Sequence, residues 1–124
     1  MKVKIISDAR PIIKATLKGK EYNFLLDTGA AVGIIDDSIK CLNESHRSIS
    51  IVDASGDEAE CPILNEFVSI AGKQIYQFVK SNIYGVQSSI KQQTGIWIDG
   101  IISYPQLQAI NASLDIKNNQ LIIE

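Results

Sequence analysis

Phe24-Leu25-Leu26-Asp27-Thr28-Gly29-Ala30 places an acid directly after an apolar run and before a tight turn. A carboxylate at the end of a buried strand is costly unless donors hold it. Thr28 offers a hydroxyl, and Gly29 lets the backbone turn and present N–H groups to the acid. Two readings fit this stretch: a positioned acid, or an ordinary strand followed by an Asp-Gly-type turn. Its surroundings decide between them.

Outward from Asp27 the hydrophobic period is two, which predicts strands. Ile13, Ala15 and Leu17 alternate with Lys14, Thr16 and Lys18, and Tyr22, Phe24 and Leu26 alternate with Glu21 and Asn23. With Lys18-Gly19-Lys20 between them, residues 12–26 read as a β-hairpin. Residues 67–70 and 74–79 repeat the design around Ala71-Gly72-Lys73, a faint internal repeat that two similar hairpins also explain. Residues 47–53 and 58–64 form the arms of a third hairpin whose tip, Ala54-Ser55-Gly56-Asp57, is small and polar, a candidate lid. A last hairpin spans 113–123 around Asn118-Asn119, and apolar Leu121-Ile122-Ile123 reads as an edge strand that invites pairing with another chain. Helical signals are few. Asp36-Asp37-Ser38 is a candidate start for one or two turns through Leu42, and Ser103–Asn111 has a capping Ser, an early Pro and Leu107 and Ile110 at helical spacing.

The chain has 124 residues, 45% of them hydrophobic and 21% charged, which predicts one compact domain over residues 1–124. Such a chain buries roughly 65–70% of its unfolded surface, enough for a core but not for a closed two-lobed cleft. Twelve basic residues among fourteen acids, with a net charge of -2, give no cationic face for nucleic acid. No run approaches the ~18–20 apolar residues that cross a bilayer, and charges interrupt any signal-like core in MKVKIISDARP, so the expectation is a soluble chain without membrane contact. Cys41 and Cys61 match neither a CxxC pair nor a zinc pattern; two free thiols are expected over a disulfide. The lone His46 builds no HExxH or Ser-His arrangement, no metal cluster or phosphate loop is present, and neither metal nor cofactor is expected.

In this order and length, apolar-apolar-Asp27-Thr28-Gly29-Ala30 resembles the signature of the retropepsin-like aspartic peptidases. Residues 47–64 lie where that family has its flap, and Asp99-Gly100-Ile101-Ile102-Ser103 before a short helix resembles its second apolar loop. The resemblance implies an all-β fold, a retropepsin-like acid protease barrel with one short C-terminal helix. It implies an aspartic endopeptidase with Asp27 as the catalytic carboxylate, Thr28 and Gly29 as support, and substrate contacts from Ala30, Val52, Ala54, Ser55, Gly56 and Ile101. One Asp-Thr-Gly supplies half a dyad, because Asp99 lacks the following hydroxyl and turn. A homodimer acting on a peptide or protein substrate therefore follows. Three departures stand out: Ser103 where the family has Gly, Ala31 and Tyr104 where viral members carry an ion pair, and a less glycine-rich flap tip. They keep open an alternative, a retropepsin-like module that binds peptide without cleaving it.

Overall fold

A computed structural model describes residues 1–52 and 56–124. Ile12–Leu17 (β2) and Lys20–Asp27 (β3) form the expected hairpin, with Leu17 opposite Lys20. The turn is only Lys18-Gly19, both at positive φ (51° and 82°), the two-residue geometry that matches strand twist. Val68–Ile70 (β7) and Lys73–Ile75 (β8) repeat it, with Ala71 at 49° and Gly72 at 83°. The expected second arm, 74–79, is broken. Gln77 takes φ 72°, and Phe78–Ser81 (β9) leaves to pair elsewhere.

Glu44–Val52 (β5) and Glu58–Leu64 (β6) are the antiparallel arms of the third hairpin. Gly33–Asp36 (β4) and Gly100–Ser103 (β10) complete a nine-stranded sheet in the order β5-β6-β9-β4-β10-β3-β2-β7-β8. The resemblance implied a barrel, but among the described residues the sheet does not close: β5 and β8 remain its edges. Lys2–Lys4 (β1), Ala112–Asp115 (β11) and Gln120–Ile123 (β12) form a separate sheet, β1-β12-β11. The terminal strand is thus central, not the edge its apolar sequence predicts. Leu121 and Ile123 are buried by this chain's own strands.

Adjacent apolar residues on β2, β3 and β10 serve opposite faces, as strands covered on both sides require. Ile13, Phe24, Leu26 and Ile102 join one cluster with Ile35, Phe78 and Leu121. Ile12, Leu25 and Ile101 join another with Ile83, Ile90 and Ile98. The second cluster depends on a helix that the sequence reading missed, Tyr84–Thr94 (α1). Its only buried residues are Gln87 and Ile90 and its N-cap residue, Ile83, makes no side-chain cap, so it lacks the usual amphipathic and capping signals. Its stop is legible: Gly95 takes the left-handed conformation and donates its N–H to the Lys91 carbonyl. The expected short C-terminal helix is Tyr104–Ala109 (α2), with Ser103 and Gln106 forming a capping box. No helix forms over 36–42. Asp36 ends β4, and a single turn follows, with Ile39 N–H bonded to the Asp36 carbonyl. Among the described residues no helix is long and apolar enough to cross a membrane.

Both cysteines are free, Cys41 exposed and Cys61 buried. A thiol reagent should therefore modify one cysteine in the native protein and two after unfolding. Two fast-reacting native thiols, counted by mass, would contradict the burial of Cys61.

Candidate active site

β3 lies between β2 and β10, and its last residue, Asp27, pairs in parallel register with Ser103. The strand stops there because the chain folds back at once: Ala30 N–H donates to the Asp27 carbonyl at 3.1 Å. Gly29 N–H donates to Asp27 Oδ1 at 2.9 Å, fixing the carboxylate over its own loop. Tyr104 N–H donates to the Ala30 carbonyl at 3.2 Å and so ties the loop to the start of α2. Asp27 is half-buried, while Thr28 and Gly29 are exposed. Gly29 does not have positive φ, and a Cβ there would sit at an ordinary 3.4 Å from Asp27 Oδ1. Its contribution is the N–H donor and a bare surface, not the special backbone conformation that the Asp-Gly pattern suggests.

The other expected substrate contacts are dispersed. Ala30 packs against the cluster that contains Ile101, but Ile101 itself is buried in that cluster with Ile90 and Ile98. Val52 ends β5, is 60% exposed and belongs to neither core cluster. Gly56 is exposed at φ 88°, and Ala54 and Ser55 lie outside the described residues.

Ser103, the departure in the second loop, is fully accommodated. Its hydroxyl donates to Gln106 Oε1 at 3.0 Å and accepts from Gln106 N–H at 3.4 Å. Gln106 Oε1 also accepts from Ser103 N–H at 2.8 Å. Gln106 Nε2 donates to the Tyr76 carbonyl at 2.7 Å, so one buried amide joins the strand beside Asp27 to the β8–β9 link. A Cβ on Gly33 would overlap that amide, which explains glycine at the start of β4. The sequence reading missed Gln106, although Ser103-x-x-Gln106 is a legible capping-box spacing.

No second acid of this chain lies beside Asp27 along these strands. Asp99 precedes β10 and accepts from Asn23 N–H at 2.9 Å, four residues back along β3 from Asp27, or about 13 Å at strand rise. Asp36 shares that far end, its N–H bonded to the Asp99 carbonyl. Buried Asp36 accepts from Ser38 N–H and Ile83 N–H, both at 3.1 Å. Burial pushes its pKa up, but these bonds and those from the Ser38 and Gln87 side chains outweigh it and leave Asp36 below its usual 3.8.

Asp99 moves the other way. Burial raises its pKa and nearby Asp36 adds to the rise, against the opposing Asn23 bond. The folded state therefore binds the Asp99 proton more tightly than the unfolded chain, so this group's contribution to stability is lost as pH rises above 3.8 through the folded pKa. Asp99→Asn keeps an oxygen acceptor for Asn23 and removes the charge. The variant should melt higher than wild type at pH 7, with the gain vanishing below the usual carboxylate range; a lower melting temperature at pH 7 would contradict this.

A mostly β chain whose central strand ends in a pinned Asp-Thr-Gly-Ala loop, backed by a parallel apolar strand and a short helix, has the retropepsin-like fold. The comparisons point the same way: residues 7–60 match the family model of retroviral aspartyl protease. That match covers β2 to β4 and most of the third hairpin but ends before α1 and β10. Among solved structures the chain is similar to EIAV protease complexed with the inhibitor HBY-793, with a TM-score of 0.60 and 19% identity, over 86% of this chain and 92% of that one. At that identity the likeness establishes the fold. A search of the curated proteins by sequence finds no match.

Proposed function

We propose that the protein is an aspartic endopeptidase in which two copies each contribute Asp27 to one catalytic pair. The observation that carries this reading is the Asp27 loop itself: a half-exposed carboxylate at the tip of a central strand, held by Gly29 N–H, with exposed Thr28 beside it. Two such carboxylates a few ångströms apart cannot both ionise readily, so they share a proton and their apparent pKa values separate. One Asp27 then takes a proton from water while its twin protonates the departing amide, and the roles exchange as the pair resets.

Thr28 braces the contact between the two loops, and the bare surface of Gly29 admits the substrate backbone. The β5–β6 hairpin closes over an extended peptide with Val52, Ala54, Ser55 and Gly56, while Ala30 and Ile101 supply the apolar wall. Ile101 backs that wall from within the second cluster, where it packs with Ile90 and Ile98. Neither metal nor cofactor is required. The Ser103 departure carries no argument against catalysis, because its hydroxyl is engaged within the α2 cap.

The test is hydrolysis of an unfolded protein substrate by wild type and Asp27→Asn, alongside sedimentation across the assayed concentrations. Activity should follow the dimer fraction and vanish in the variant. Cleavage proportional to a strictly monomeric species would end this reading.

A further inference from the structure

We infer that Arg10, held by α1, recognises an acidic side chain of the substrate peptide beside the scissile bond. This deepens the proposed function and rests on its paired Asp27 site. Side chains alternate across a strand, so Leu25 and Asp27 of β3 leave by one face and Phe24 and Leu26 by the other. Leu25 enters the second cluster with Ile12, Ile101 and Ile90 of α1, and Ala30 of the Asp27 loop packs against it. α1 therefore covers the sheet face from which the Asp27 side chain projects. Ile12 pairs with Leu25, and the Pro11 carbonyl accepts from Leu26 N–H at 2.8 Å. That register, carried one residue further, sets Arg10 across from Asp27.

The guanidinium is held in place from two sides. Arg10 Nη1 donates to Gln93 Oε1 at 2.9 Å. Gln93 Nε2 donates to Ser89 Oγ at 3.2 Å, which leaves the amide oxygen turned towards Arg10. Gln93 follows Ile90 by three residues, nearly one turn, and so extends the side of α1 that packs on the sheet. Ser7 Oγ accepts from Ala9 N–H at 3.1 Å and from Arg10 N–H at 3.4 Å, fixing the backbone that carries the side chain. α1 lies outside residues 7–60, so the holding of Arg10 depends on an element beyond the family match.

Nothing in this chain neutralises that charge. Arg10 is half-buried, yet among the described residues it makes no ion pair, and its one side-chain bond goes to a neutral amide. A partly desolvated cation is costly until a carboxylate meets it, and a guanidinium offers five N–H donors in a fork that fits one. A second copy brings none through its Asp27 loop beyond the catalytic acid, because residues 28–35 are uncharged. A Glu or Asp of an extended substrate fills the place. Opposed residues of paired strands lie about 5 Å apart and an extended peptide advances about 3.3 Å per residue, so Arg10 serves positions within about four residues of the cleaved bond. With one Arg10 from each copy, the preference applies on both sides of that bond.

The test starts from the cuts that wild type makes in an unfolded protein, mapped by mass. Synthetic peptides spanning such a site, identical except for Glu or Gln at one flanking position, are then compared. Wild-type kcat/KM should favour Glu by at least about tenfold, the scale of one hydrogen bond to a charged partner, and the preference should shrink as salt is raised. Arg10→Gln should abolish the preference, and Arg10→Glu should invert it in favour of Lys. Gln93→Glu, a change at an exposed helix position, keeps Arg10 but seats a carboxylate on it within the chain, and should also abolish the preference. Equal wild-type rates on the Glu and Gln peptides, or a preference that survives either Arg10→Gln or Gln93→Glu, would overturn the assignment and leave the paired-Asp27 reading standing. Arg10→Gln sedimenting as a monomer where wild type is a dimer would instead give Arg10 to the contact between copies. Wild type that cuts neither protein nor peptide removes the paired site itself, and this inference with it.

Discussion

Asp27→Asn should leave the fold and the dimer intact and reduce peptide cleavage by at least about 10³-fold, the scale of losing a positioned acid and base together. The change is nearly isosteric. Asn retains an oxygen to accept from Gly29 N–H, which now holds Asp27 Oδ1 at 2.9 Å, so the loop keeps its anchor. Asn cannot exchange a proton at working pH, so a pair of them offers neither base nor acid. A mixed dimer with one Asp and one Asn is the sharper experiment, since a single carboxylate remains to perform both steps. Mixing wild type with excess variant should therefore depress activity below the level expected from dilution alone. Undiminished hydrolysis by purified Asp27→Asn would place the chemistry elsewhere, and unfolding of the variant would show the acid to be structural.

The second large effect is on stability. Gly100→Ala should cost about 2–3 kcal/mol, the upper range for forcing a methyl into a packed core, and lower the melting temperature by roughly 6–15 °C. A Cβ at Gly100 would lie 2.5 Å from Phe24 Cε1 and 2.7 Å from the Ile34 carbonyl. Neither has room to withdraw. Phe24 is fully buried with its ring centroid 6.1 Å from that of Phe78, and Ile34 pairs across to β10. Because β10 runs beside β3 to Ser103 and Asp27, the disturbance propagates along the strand that seats the acid. Gly85→Ala is the control. Its Cβ meets nothing within 4 Å on exposed α1, and replacing glycine within a helix should stabilise by about 0.5–1 kcal/mol. Equal melting temperatures for the two variants would contradict the packing described around β10.

Much of this architecture is legible locally. The Lys18-Gly19 and Ala71-Gly72 turns are written in short patterns that select a hairpin whatever lies around them. The capping box at Ser103 and Gln106 likewise starts α2 from four residues. Helix α1 was not legible, because its burial rests on Gln87 and Ile90 meeting Ile98 and neighbouring strands, and its own sequence shows no apolar stripe. The burial of Ile101 was hidden for the same reason, because Ile90 of that distant helix and Ile98 pack with it in the second cluster.

What the sequence by itself determined is the Asp27 loop and the strands that deliver it, since turn chemistry and period-two burial act between near neighbours. Only the tertiary structure decided the placement of Leu121-Ile122-Ile123. An apolar strand must pair, but its sequence does not say with what. The fold brings β1 and β11 to its two sides, and hydrogen bonds made within one chain carry no cost of bringing a second molecule into place.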